Sequence, residues 1–385
     1  MRCEEGDAAR LDAGSLTLVV PCLLGVESFI AEELRDLGAQ EVRAENGRVL
    51  FRGGVEMIAR VNICARFCER VQILLGEAEV HSFEELFQAA KALPWEDWIG
   101  KSDAFPVKGY SLKSDLFSVR DCQAILKKAV VERLKTKYAL EWFDETGALR
   151  QIQFAILNNR VSFLLDTSGA GLHKRGYRPE AREAPIKETL AAVLCAASRL
   201  RPYHTLYDPL CGTGTILIEG ALMARNIAPG LHRSFAAERW GQIPRTVWAD
   251  ERTRARDLAR PAPDFRAFGS DKDPAAIALA SETIARAGVA DCVRVTQGDL
   301  ADFAPTTERG TVICNPPYGE RLLDAEQARA LVGIMGKVFP QKRGWIYSVI
   351  TPDADFETNF GRKADKRRKL YNGMIACTLY SYFKA

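Results

Sequence analysis

Val26, Phe29, Ile30, Leu34 and Leu37 recur at helical spacing, which predicts an amphipathic helix over residues 25–37. The apolar run before it, residues 16–24, reads as a strand. Residues 49–51 read as a second strand and residues 55–68 as another helix. This alternation predicts a small ferredoxin-like α+β module over residues 15–69. A second module is expected over residues 70–166, with helices at 83–93 and 120–138 and closing strands at 152–157 and 161–165. Asn158, Asn159 and Arg160 suit the hairpin turn between those strands. Residues 169–185, rich in Gly, Pro and Arg, read as a linker. From Ile186 the pattern becomes the strand–helix alternation of a doubly wound α/β sheet, giving a third domain over residues 167–385. Residues 225–263 interrupt that alternation and are expected, in part, to wall a substrate cleft. Residues 1–14 are polar and acidic and read as loose.

Composition narrows the class. The 385 residues are 47% hydrophobic, enough for two or three domains with cores, and the net charge of +3 requires any nucleic-acid surface to be local. The ten cysteines form no Cys-x-x-Cys pair, which argues against zinc and any other metal site. Scattered thiols, and no segment long enough to span a bilayer, give the expectation of a soluble cytoplasmic protein.

The chemistry is concentrated at four strand ends. Asp208, Pro209, Leu210, Cys211, Gly212, Thr213, Gly214 and Thr215 lead from an apolar strand into a helix. Glycines let a backbone approach a ligand, and a helix start offers free N–H groups. A dinucleotide fingerprint would need a third glycine where Leu217 stands, and a phosphate loop would need Gly-Lys-Ser/Thr. S-adenosylmethionine fits better, with Asp208, Gly212 and Gly214 at its amino-acid end. Asp271 follows the next strand and suits ribose hydroxyls, while Asp299 follows another and suits the adenine amine. Asn315, Pro316, Pro317 and Tyr318 follow a buried strand. Their Asn and Pro oxygens can accept from an exocyclic –NH2, and the Tyr ring can stack on a base. In an open α/β sheet, ligands bind at these carboxyl ends.

These motifs resemble the class I RNA methyltransferases that carry a THUMP domain. The glycine loop, the Asn-Pro-Pro-Tyr-Gly-Glu-Arg run ending at Arg321, and the stretches at 165–178 and 184–190 carry the resemblance, which covers the chain from about Leu16 onward. It is strongest to the bacterial branch that methylates guanine N2 of 23S ribosomal RNA; longer members of that branch carry a second methyltransferase domain. The resemblance implies a Rossmann-like methyltransferase sheet, S-adenosylmethionine as cofactor and ribosomal RNA as partner. Lys187 and Glu188, at the start of the preceding helix, are expected to line the cofactor pocket.

Structured RNA would then meet the THUMP helix and its surroundings, at Lys113, Lys127, Lys128 and Lys135, in a stretch with nine Lys/Arg against four Asp/Glu over residues 101–139. Lys174, Arg175 and Arg178 form a second basic group, and Arg367 lies in a third at 362–369. Residues 1–166 are expected to deliver RNA to a catalytic domain that binds cofactor by itself. Cys314 as a nucleophile for cytosine C5 is set aside in favour of packing, as are Trp95, Trp98 and Trp142 as base-stacking groups. The alternatives kept open are an adenine-N6 RNA or DNA methyltransferase and a non-catalytic RNA-binding assembly factor.

Overall fold

Leu18, Val19 and Val20 are all buried because β1 (Leu16–Pro21) is an interior strand with apolar cover on both faces. The computed structural model describes residues 15–178, 186–261, 264–317, 325–339 and 342–384. The chain continues through α1 (Glu27–Asp36), β2 (Gln40–Glu45), β3 (Arg48–Gly53), α2 (Val55–Cys64), β4 (Gln72–Glu79), α3 (Phe83–Lys91), β5 (Val107–Leu112), α4 (Val119–Tyr138), β6 (Ile152–Leu157) and β7 (Arg160–Asp166). These strands form one seven-stranded sheet in the order β2-β3-β1-β4-β7-β6-β5, antiparallel except for the β5–β6 pair. The two modules read from the sequence therefore share a sheet, joined where β1 pairs with β4. Asn158 and Asn159 take positive φ of 52° and 63°, the combination a two-residue hairpin turn requires.

The second half runs α5 (Glu188–Ala197), β8 (Thr205–Asp208), α6 (Thr215–Ala224), α7 (Arg245–Asp257), β9 (Arg266–Asp271), α8 (Pro274–Arg286), β10 (Val293–Gln297), β11 (Gly310–Cys314), α9 (Ala325–Val338), β12 (Trp345–Thr351), α10 (Phe356–Phe360), β13 (Lys366–Asn372) and β14 (Ile375–Tyr382). Its seven-stranded sheet has the order β10-β9-β8-β11-β12-β14-β13, with five parallel strands and an antiparallel hairpin at one edge. Strand order reverses between β8 and β11. That reversal opens a crevice at the strands' carboxyl ends, the place where such sheets bind ligands.

Several sequence expectations change. Gln40–Glu45 forms an edge strand that apolar patterning could not reveal, since almost every residue in it is exposed. The helices expected at 55–68 and 83–93 end earlier, at Cys64 and Lys91. Residues 169–178 are no loose linker: Leu172, Arg175 and Tyr177 are buried, and Leu172 N–H donates to the Glu69 carbonyl at 2.9 Å. The described part of the insertion, residues 225–261, docks on the first half. Arg60 on α2 makes a two-point ion pair with Glu251 on α7, and Gly230 N–H donates to the Ile63 carbonyl at 2.8 Å. Trp98 and Trp240 meet edge-to-face across the same boundary, ring centroids 6.1 Å apart. One apolar cluster thus runs through both halves. Trp95 and Trp98 are buried as expected, whereas Trp142 is 78% exposed. Among the described residues no helix is long and apolar enough to cross a membrane. Residues 1–14 lie outside the described residues.

Candidate functional site

β8 delivers Asp208 into the crevice with its side chain buried. Burial pushes the Asp208 carboxyl up to about 7; the Leu210 N–H at 3.1 Å and the Cys314 thiol oppose this, and the Asp271 charge adds to it. The loop after β8 turns on Gly212 and Gly214, with φ of +51° and +76°, values that disfavour any side chain. A Cβ on Gly212 would point into open space. Gly214 is the N-cap of α6 and contributes no side chain, so the first N–H groups of the helix have no side-chain cap.

The neighbouring strand end braces this loop. Gly212 N–H donates to Asp271 Oδ2 at 3.0 Å, Asp273 N–H donates to Asp271 Oδ1 at 3.0 Å, and Cys211 N–H donates to the Ser270 carbonyl at 3.0 Å. Asp299 ends β10's connection one strand further along, where its Oδ1 accepts from Ala301 N–H at 2.8 Å. On the other side of β8, Cys314 ends β11. Its thiol is buried, donates to Asp208, and is held protonated well above the ordinary thiol range by burial and by the Asp208 charge. A protonated, buried sulfur is no nucleophile.

Asn315 follows directly. Its Oδ1 is buried and accepts from no group among the described residues. Pro316 beside it is buried and Pro317 partly so. An unsatisfied buried carbonyl oxygen is costly in a folded protein and points to a missing donor. Tyr318 lies outside the described residues.

The cationic and acidic residues read from the sequence divide. Glu188 is buried at the start of α5 and pairs with Arg178 Nε at 3.4 Å. Arg178 also donates to the Ile186 carbonyl at 2.8 Å and to Thr215 Oγ1, so it ties α5 to the first residue of α6. Arg178, expected from the sequence to meet RNA, is engaged in these contacts beside the glycine loop. Lys187 pairs with Glu69 at 3.3 Å. Arg175 is buried among the Arg66 carbonyl, the Leu172 carbonyl and Glu219, beyond the reach of RNA. Lys127 turns inward, 3.1 Å from the Phe105 carbonyl, 3.4 Å above the Phe105 ring and paired with Glu145. Lys135 pairs with Glu141 at 3.1 Å, and Arg367 with Glu357 at 2.6 Å. Lys113, Lys128 and Lys174 remain exposed.

The residues at this crevice fit S-adenosylmethionine. Asp208 and the open side of Gly212 suit its amino-acid end, and the uncapped α6 N–H groups suit its carboxylate. Asp271 retains acceptor capacity for ribose hydroxyls. Comparison with known proteins agrees. Residues 175–381 match the family described as RMKL-like, methyltransferase domain; residues 17–72 match the RlmL ferredoxin-like domain and residues 80–166 the THUMP domain. The chain belongs to the THUMP-containing, RlmL-like family of S-adenosylmethionine-dependent RNA methyltransferases. It is 40% identical over 369 residues to YpsC of Bacillus subtilis, named as a candidate RNA methyltransferase, covering 95% of this chain and 96% of YpsC. It is 33% identical to the ribosomal RNA large subunit methyltransferase K/L of Desulfotalea psychrophila, over 94% of this chain but 52% of that protein. The chain thus spans about half the length of that relative. A Listeria monocytogenes protein, assigned by prediction as an N6-adenine-specific DNA methylase, superposes with a TM-score of 0.91 at 44% identity, covering 97% of each chain. SMU.472, a candidate methyltransferase solved with S-adenosylhomocysteine (SAH), superposes with a TM-score of 0.91 at 38% identity, covering 96% of this chain and 98% of that one.

Proposed function

We propose that this methyltransferase acts on an exocyclic base amine in RNA, with guanine N2 of 23S ribosomal RNA as the target. The observation that carries the reading is the Oδ1 of Asn315 at the end of β11, buried and without a partner among the described residues, one strand from the glycine loop after β8. S-adenosylmethionine supplies an electrophilic methyl group. Asn315 Oδ1 and the Pro316 carbonyl accept the two amine hydrogens, which aims the nitrogen lone pair away from them and towards the cofactor. Asp208 holds the cofactor's amino group, the Gly212–Thr215 backbone its carboxylate, Asp271 its ribose and Asp299 its adenine. Tyr318 stacks on the base. Extruding a base from structured RNA costs a few kcal/mol, offset by that stacking.

In this reading residues 15–69 and 70–166 present RNA, and residues 167–385 carry the chemistry in the cytoplasm. The name of the Desulfotalea relative supports ribosomal RNA as the substrate. The description of the Listeria protein favours a second reading, adenine N6, because the same oxygens could grip that amine. Nucleoside mass spectrometry of ribosomal RNA from cells with and without the gene separates them. Loss of N2-methylguanosine supports the first, and loss of N6-methyladenosine the second.

A further inference from the structure

A cavity of about 760 Å³ lies away from the crevice, between the segment following β7 and one face of α7. Four arginines line it, Arg239, Arg245, Arg252 and Arg256, against a single carboxylate, Glu238. That carboxylate is already engaged: its Oε1 accepts from Arg252 at 2.7 Å and from Phe235 N–H at 2.9 Å. Arg239, Arg245 and Arg256 are exposed and pair with no group among the described residues.

Folding accounts for Arg252, which ties α7 to Glu238 and the Arg233 carbonyl, but gives no reason for Arg239, Arg245 and Arg256. Arg245 opens α7, a helix with no acid in its first turn and no side-chain cap. A cation there adds to the positive end of the helix dipole instead of offsetting it. Trp248 is buried, lines the cavity and stacks on Phe235, yet its indole N–H has no acceptor among the described residues. The opposite wall is kept low by Gly169 and Ala170. Positive charge and an uncapped helix start favour an anion with several acceptor oxygens.

Resting on the RNA reading above, we infer that this cleft holds the phosphodiester backbone of the RNA substrate. Its length favours a strand over one phosphate: Arg245 and Arg256 stand about 16 Å apart along α7 at ~1.5 Å per residue. Leu149 of the first half lines the cleft beside residues 168–170 and α7. The cleft adds to Lys128, which stays exposed on α4, while Lys127 and Lys135 are engaged by Glu145 and Glu141.

The test uses the full chain, an unmodified transcript of bacterial 23S ribosomal RNA, and a salt series. Arg245→Ala/Arg256→Ala should weaken binding about tenfold and lower the log–log salt slope by ~1.4, at ~0.7 per single-strand phosphate contact. S-adenosylmethionine affinity, measured on the same protein, should not change, which also verifies the fold. Arg239→Gln, in the turn before α7, should lower the slope by about half as much. Wild-type affinity and slope in all of these variants, with wild-type protein binding the RNA tightly, overturn the cleft alone. Wild-type protein that binds the transcript without salt dependence, or not at all, overturns both the cleft and the RNA reading.

Discussion

The backbone N–H of Gly212 donates to Asp271 Oδ2 at 3.0 Å, so the acid proposed to bind ribose also shapes the loop that cradles the rest of the cofactor. Asp271→Ala should therefore lose both a ligand contact and the brace on a positive-φ glycine. The expected loss in S-adenosylmethionine affinity is ~1.5–3 kcal/mol, the range for a hydrogen bond to a charged group. Isothermal calorimetry on the folded variant measures it. Unchanged affinity would remove Asp271 from the site.

Asp208 makes stability depend on pH. Its carboxyl rises from 3.8 to about 7, chiefly through burial, and Glu33 rises from 4.5 to about 7 for the same main reason. The folded protein holds these protons more tightly than the unfolded chain. The stability they contribute is present in full below their ordinary values and is lost as pH rises through about 7. Thermal melts of ligand-free protein should fall across that window, and Asp208→Asn should flatten the fall, leaving the share due to Glu33. Cofactor affinity should run the other way, strengthening as Asp208 ionises. An equal pH slope in the Asn variant would contradict the assignment.

Much of this was legible because strand ends carry their chemistry locally. The positive-φ glycines, Asp271 and Asn315 sit in contiguous motifs bounded by apolar strands. The hairpin at Asn158 and Asn159 was readable for the same reason. Contacts between distant segments were not. No local pattern reveals that Arg178 reaches Thr215, that Lys127 folds back on Phe105, or that Arg175 is buried beneath Glu219. Charge runs were read as surface because pairing partners such as Glu145 and Glu357 lie many residues away. The exposed strand Gln40–Glu45 carried no apolar signal. The arginines of α7 were passed over because their helical spacing has meaning only once Ser168–Ala170 stands opposite.

The joint between the halves should be measurable on its own. Arg60 pairs with Glu251, whose side chain is only 8% exposed. Arg60→Ala leaves that carboxylate, among the described residues, with Arg254 at 3.8 Å. The expected cost is about 3 kcal/mol, the lower end for a broken buried pair, because Arg60 itself is partly solvated. Urea unfolding would report it as a lower midpoint. A change under about 0.5 kcal/mol, the scale of ordinary surface substitutions, would mean the pair does not hold α2 to α7.

Asn315 is where the account is most exposed to test. Asn315→Ala and the wild-type protein should be incubated with unmodified 23S ribosomal RNA and methyl-labelled S-adenosylmethionine, and the digested nucleosides analysed by mass spectrometry. Label should appear in N2-methylguanosine, with a rate lower by ~10²–10³ in the variant, as for loss of one polar group at a reacting centre, and nearly unchanged cofactor affinity. Label at a position other than an exocyclic amine, or undiminished transfer by the variant, would contradict it.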